Sequence, residues 1–224
     1  MQHLAIYDMD RTITRTGTYT PFLLHAARAL APWRLLLTPF VLLAMLAYAL
    51  KLIDRRRLKE WCQRLLLGGR VPRACLAPAT ESFADLVMAT NIHPGALRQI
   101  AEDKAAGRRL VLATASYRFY VEPIARRLGF DDVIATGSVA GLDDIIHARI
   151  DGENNYGPAK LRLIEAWLRA SGIVRSAVRV TFYSDHVSDA PVLEWADEAI
   201  AANPSARLRH LAERRGWTIV DWGF

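Results

Sequence analysis

The sequence predicts an α/β protein: a doubly wound parallel sheet with helices on both faces and an inserted all-helical segment near its start. Three observations carry this. From Pro94 onward, short apolar runs alternate with helix-period segments of roughly a dozen residues, the pattern of parallel strands joined by crossover helices. Between Thr14 and about His93 that alternation stops, β-branched runs disappear, and Leu, Ala and Arg recur at helical spacing. Several apolar runs end in Asp, Thr or Ser, and in open parallel sheets ligands bind at the carboxyl ends of strands.

Taken in order, residues 3–8 (LAIYD after His3) read as a buried strand, and helices are expected over about 20–31, 35–50, 55–67 and 73–90. A helix over 94–106, a strand at 109–114, a helix over 117–128 and a strand at 132–136 follow. An irregular or hairpin segment reaches Ile150. The periodicity then predicts helix 157–171, strand 178–184, helix 188–196, strand 198–202, helix 204–215 and a last strand at 217–221. Residues 1–14 and 93–224 are thereby expected to form the catalytic core, and residues 15–92 a helical cap domain.

Composition agrees with a packed globular chain, because 52% hydrophobic residues beside 23% charged ones leave enough apolar surface for a sizeable core. The two cysteines, Cys62 and Cys75, match no metal-ligand spacing, and the first residues lack the basic and apolar regions of a secretory leader; both point to a reducing, cytoplasmic setting. The formal charge of +6 is concentrated: ten Lys and Arg lie between Arg28 and Arg73, against only Asp54 and Glu60. Such a patch suits phosphates or an anionic membrane surface. Nucleic acid is not expected as a partner, since no binding motif and little interleaving of aromatic with basic residues accompany the charge.

Four expected strand or helix ends carry chemistry. Asp8 ends the first strand, with Asp10 and Thr12 in the loop; Thr114 ends a strand and leads into Ala115 and Ser116; Lys160 lies in the first turn of a helix; Ser184 and Asp185 end a strand, with Asp189 four residues on. In isolation, Asp8 and Asp10 could be a polar turn, Thr114 and Asp189 helix caps, and Lys160 a solvated lysine. The order D-x-D-x-T, Thr, Lys, S-D-x-x-x-D resembles the haloacid dehalogenase superfamily, specifically the phosphoserine-phosphatase-like subfamily IB with a cap inserted after the first motif. The resemblance covers essentially the whole chain and implies a Rossmann-like core and a phosphatase.

On that resemblance, Asp8 is the nucleophile that forms an aspartyl-phosphate, and Asp10 is the acid and base that serves the leaving alcohol and then water. Lys160 neutralises charge on Asp8 and the phosphoryl group, which Thr114 and the amides of Ala115 and Ser116 hold. Mg²⁺ is implied as cofactor, with Asp8, Asp10 through its carbonyl, Asp185 and Asp189 at the metal. The substrate is a phosphomonoester. Hydrolase and phosphotransferase share these residues and differ only in the acceptor.

Arg11 departs from the pattern, since many family members place Gly or Ser there; a guanidinium at that position is expected either to bind the substrate through a phosphate or diester or simply to point outward. Phosphoserine phosphatases of the subfamily carry an ammonium-binding glutamate nine residues after the nucleophile, and here that position is Gly17. The segment 35–50 is instead uncharged, about 24 Å long as a helix and flanked by Trp33, Arg34, Lys51 and Arg55 to Arg57. Apolar, basic-flanked caps of this kind resemble the lipid-phosphate phosphatases of the C-type phosphatidylglycerophosphatase kind, which implies a lipid phosphate substrate and peripheral membrane attachment through residues 33–57. The alternatives are a small soluble phosphomonoester and an apolar helix that is only the core of the cap. Asn154 and Asn155 read as turn residues, and His93 and His186 as loop or surface residues.

Overall fold

Alternation in β1 (Gln2–Tyr7) sends Leu4 and Ile6 to one side and Ala5 and Tyr7 to the other, all fully buried, so this strand needs cover on both faces. The computed structural model, which describes residues 2–141 and 144–223, places it near the middle of one sheet. Four helices follow, α1 (Tyr19–Leu30), α2 (Thr38–Ala49), α3 (Arg55–Leu66) and α4 (Arg73–Thr90), with β2 (Arg70–Pro72) between the last two. Then come α5 (Pro94–Ala105), β3 (Arg109–Tyr117), α6 (Arg118–Leu128), β4 (Asp132–Ala140) and β5 (Ile145–Asp151). The chain ends with α7 (Pro158–Ala170), β6 (Val178–Ser184), α8 (Ala190–Trp195), β7 (Glu198–Ala202), α9 (Ala206–Arg215) and β8 (Thr218–Val220).

Among the described residues the strands form one sheet in the order β2-β5-β4-β3-β1-β6-β7-β8. All neighbours from β4 to β8 are parallel, as expected. One apolar cluster packs α7, α8 and α9 against the face bearing Leu4 and Ile6; the other packs α5, α6 and helices of the early segment against the face bearing Ala5 and Tyr7. The chain passes from β1 to β3 on one side and later places β6 on the other. That reversal makes the carboxyl end of β1 a switch point, where neighbouring connections diverge and leave a crevice.

The helical segment leaves at Thr14 and returns at Ile92, where the two passages pair antiparallel and Arg15 N–H donates to Asn91 O at 2.8 Å. One feature corrects the all-helical expectation for residues 15–92. The short β2 joins the edge of the sheet by pairing with β5, burying Val71 opposite Ile146. Three residues are too few for a two-residue period to be read, and the pairing partner lies far along the chain. The hairpin expected before Ile150 is formed by β4 and β5, also antiparallel, with residues 142 and 143 outside the described set.

The apolar segment 35–50 is realised in two pieces, a tight turn of helix over Pro32–Leu37 and then α2. Pro39 sits in the first turn of α2, where a missing N–H costs nothing. Only Val41 and Ala44 of α2 are buried, whereas Phe40, Leu42, Leu43 and Leu46 are each more than half exposed. This helix is therefore not the core of the segment. The next helix starts cleanly, because the Asp54 carboxylate accepts from Arg57 N–H and caps α3.

Candidate active site

Asp8 follows β1 directly, and its N–H still donates to Tyr183 O of β6 at 2.9 Å, so the strand pairing itself sets where its carboxylate stands. Lys160 reaches the same point from α7. Gly157 makes that entry possible: its φ of 60° with ψ of −137° is a conformation that only glycine adopts readily, and Pro158 then starts the helix. The Lys160 ammonium, 2% exposed, donates to Asp8 Oδ1 at 2.7 Å and to Asp189 Oδ2 at 2.6 Å. Ser184 Oγ donates to the same Asp189 oxygen at 2.8 Å. The capping alternative for Asp189 is not realised, since its side chain caps no helix and turns to Lys160.

Thr12 ties the remaining carboxylate into this group. Its hydroxyl accepts from Asp185 N–H at 3.0 Å and lies 3.4 Å from Asp8 Oδ2 and 3.3 Å from Asp185 Oδ1. Three buried carboxylates thus face one ammonium. Fully ionised, they would leave two negative charges uncompensated, which is costly in a low dielectric. Burial pushes Asp8 up to about 8 and Asp185 up to about 6, with the neighbouring carboxylates adding to the rise and Lys160 opposing it. Burial tends to lower Lys160, but Asp189 and Asp8 outweigh it and hold the ammonium above its ordinary range.

A hard divalent cation fits this donor set. Asp189 Oδ1 is buried and has no hydrogen-bond partner, and the uncompensated charge is the right size for such an ion. Among the described residues no cluster of three or more metal-ligating side chains forms, so the first contacts would be the Asp8 and Asp185 carboxylates with the Asp10 carbonyl.

Asp10 lies in the turn between β1 and α1. Both carboxylate oxygens are held: Oδ1 accepts from Thr18 N–H and Oγ1, each at 2.7 Å, and Oδ2 accepts from Ser116 Oγ at 2.7 Å. The turn closes through Thr14 N–H to Met9 O at 3.0 Å and requires Arg11 to adopt a φ of 67°. That left-handed conformation costs a residue with a Cβ about 1 kcal/mol.

A cavity of about 520 Å³ opens over these groups and is lined by Asp8, Asp10, Arg11, Thr114, Ala115, Lys160, Asp185 and Asp189. Ser116 instead borders an adjoining chamber of about 190 Å³. The expected strand end at Thr114 needs correction. β3 continues irregularly to Tyr117 and α6 begins only at Arg118, so the amides of Ala115 and Ser116 precede the helix rather than forming its first turn. Ser116 N–H already donates to Thr114 Oγ1 at 3.1 Å, and Thr114 caps no helix. His186 lines the larger cavity. His93 is buried, not on the surface, and its Nδ1 lies 2.9 Å from Gly223 O.

The sequence places Thr12 and Ser184 in the motifs without a task and Arg55 only in a basic flank, and it gives no sign of the parts of Thr18 and Lys59. The D-x-D-x-T spacing signals Thr12. Nothing local signals Lys59, which reads as one more base in a basic stretch yet is a buried residue of α3.

A sequence model of haloacid dehalogenase-like hydrolases matches residues 5–194. The inhibition of morphological differentiation protein of Streptomyces azureus is 31% identical over 220 residues, covering 97% of this chain and 78% of the relative. The phosphoserine phosphatase of Mycobacterium tuberculosis is 36% identical over 143 residues, which is 63% of this chain but only 45% of that longer protein. The crystal structure of a Bordetella pertussis protein of unknown function covers all of both chains at 28% identity with a TM-score of 0.87.

Two outcomes follow from the geometry. Arg11→Gly is expected to raise the melting temperature by roughly 1–3 °C by removing the left-handed strain; a fall in scanning calorimetry would contradict the assigned strain. Because the folded-state values of Asp8 and Asp185 lie above the ordinary 3.8, their contribution to stability is full below about pH 4 and is lost as pH rises through about 6 and then 8. In chelator, the melting temperature is expected to fall between pH 5 and 8, and millimolar Mg²⁺ to restore it more at pH 8 than at pH 5.

Proposed function

The chain belongs to the haloacid dehalogenase-like hydrolases, and from that premise we propose that it is a phosphatase in which Asp8 attacks the phosphorus of a phosphate monoester. The observation that carries this reading is the Lys160 ammonium held between Asp8 and Asp189 at the floor of a cavity that Asp10 also borders. An Asp8 oxygen forms a bond to phosphorus as the bond to the leaving alcohol oxygen breaks, and Asp10 supplies the proton that the alcohol takes up. Asp10 then accepts a proton from water, whose oxygen attacks phosphorus and releases phosphate from Asp8. Thr18 and Ser116 keep Asp10 beside the cavity for both transfers.

Lys160 offsets the charge of Asp8 and of the phosphoryl group, and Thr114 with the Ala115 amide receives phosphoryl oxygens. Ser116, bound to Asp10 through its hydroxyl, has a smaller part in that cradle than its sequence position implies. Mg²⁺, held by Asp8, the Asp10 carbonyl and Asp185 with Asp189 behind, would shield the approach of a carboxylate to a phosphate dianion. Residues 15–92 act as the cap over the core of residues 1–14 and 93–224.

For the substrate, we read a lipid phosphate at an anionic membrane surface, the protein sitting peripherally on the cytoplasmic side. Support comes from α2 and its approach, Pro32–Ala49, a segment apolar enough by length and composition to cross a membrane of which only 11% is buried. Trp33, Leu36, Leu43 and Leu46 project from it, each more than half exposed, with Arg34 inside it and Lys51 and Arg57 beyond its end adding positive charge. A mainly apolar groove of about 440 Å³ is lined by Phe40, Leu43, Trp61 and Leu65, with Arg64 beside them. The mycobacterial relative is named a phosphoserine phosphatase, but Gly17 offers no carboxylate for a substrate ammonium.

Phosphate release from p-nitrophenyl phosphate with Mg²⁺ is expected to fall about a thousandfold or more in Asp8→Asn; equal rates would remove Asp8 as nucleophile. In flotation, the wild type is expected to rise with vesicles containing anionic lipid and not with neutral ones, and Leu43→Glu with Leu46→Glu to abolish the rise. Binding unaffected by both changes would place the membrane contact elsewhere.

A further inference from the structure

The chamber of about 190 Å³ beside the main cavity is lined by two cations that the chemistry above does not use, Lys59 and Arg55, the latter at the border where it lines the main cavity too. Lys59, 5% exposed, extends from α3 beneath the surface and donates to two neutral acceptors, Ala115 O at 2.7 Å and Asn154 Oδ1 at 2.9 Å, while its ammonium lies 4.2 Å from the Tyr117 ring centroid. No ion pair joins it to a carboxylate among the described residues. Arg55, one turn earlier, stacks its guanidinium on the Tyr156 ring at 4.1 Å and is likewise in no ion pair among the described residues. Burying an ammonium against neutral acceptors is costly unless an anion completes its surroundings. Burial and the charge of Arg55 hold Lys59 down to about 7, with Asp10 opposing them.

The remaining wall of the chamber says where such an anion would stand. Asp10 is its one acid among the described residues, and both of its oxygens are already occupied by Thr18 and Ser116. Met45, Tyr48 and Leu58 supply an apolar side. α3 is anchored to the core on this flank, as Arg56 donates to Ile150 O at 2.7 Å and Gly152 O at 3.0 Å, and Glu60 accepts from Ile150 N–H at 2.8 Å. The two cations are thus held at the chamber by a docked helix rather than by a free loop.

Since Asp10 serves the oxygen of the leaving alcohol, the space beyond Asp10 is where that alcohol lies. We propose that the leaving alcohol itself carries an anionic group, a carboxylate or a phosphodiester, which Arg55 and Lys59 bind in this chamber while Met45, Tyr48 and Leu58 contact apolar atoms beside it. The inference rests on the phosphatase reading and narrows its substrates to phosphomonoesters with a second anion on the leaving side. Esters with a neutral or cationic alcohol fit the chamber poorly, because they leave Lys59 uncompensated or add a third positive charge.

Matched alkyl phosphates of one chain length, ending in a carboxylate, a methyl phosphodiester, a methyl group or an ammonium, test this. The wild type is expected to favour at least one anion-ended ester over the methyl-ended one by tenfold or more in kcat/KM, with the ammonium-ended ester slowest. Arg55→Gln, on the exposed side, and Lys59→Met are each expected to reduce that ratio at least fivefold; the ratio, not the absolute rate, is the readout. Carboxylate and phosphodiester arms separate the two sources of the anion. No anion preference in the wild type, or an unchanged ratio in both variants, overturns the proposal. If Asp8→Asn hydrolyses these esters like the wild type, the phosphatase reading falls first; if it is inactive and no preference exists, only the anion site falls.

Discussion

The ammonium of Lys160 stands between two buried carboxylates, and most of the candidate site can be understood as a consequence of that placement. Without it, Asp8, Asp185 and Asp189 would be three acids packed into one crevice with no countercharge, an arrangement that burial makes costly. With it, one of the three negative charges is offset, and the residual charge makes the crevice receptive to a cation. The arrangement trades stability for reactivity: an apolar core at the same point would hold the sheet together better. Burial of unmatched acids has the physical signature of chemistry rather than of folding.

Sheet topology enforces the trade. β1 lies between β3 and β6, so the ends of β1 and β6 and the irregular stretch of β3 deliver Asp8, Asp185 and Thr114 to one rim without any long side chain having to reach. α7 then brings Lys160 in from the outside of the sheet, entering through Gly157. Thr12, only four residues from Asp8, bridges to Asp185 at the end of β6, and this single hydroxyl links the two halves of the switch point.

The early helical segment contributes differently on its two sides. α3 is pinned to the β4–β5 hairpin through Arg56 and Glu60, and it turns Lys59 inward to a chamber beside Asp10. α2 packs on α3 with little of its own surface, leaving a row of large apolar side chains in the open. An inward cation and an outward apolar face on neighbouring helices are both expensive in water for an isolated domain. They become economical together when the ligand is amphipathic and anionic.

Much of this was legible in the chain itself. The helices over 73–90 and 55–67 follow from apolar spacing, and the strands at 109 and 178 from short aliphatic runs, because these depend on local periodicity. Asp8, Asp10, Lys160, Asp185 and Asp189 could be singled out because their chemistry depends on residue type and on position at element ends. The edge pairing of β2 with β5 was not legible, since a three-residue strand is defined by a partner more than seventy residues away. Nor was the irregular end of β3, which moved the Ala115 and Ser116 amides away from the helix start. Sequence by itself determined which residues could carry phosphoryl chemistry and the order of elements that present them. Tertiary structure alone decided which oxygen each donor meets, that Lys59 is buried while α2 is bare, and that Asp10 faces Ser116, because burial and hydrogen-bond pairing depend on neighbours distant in the chain.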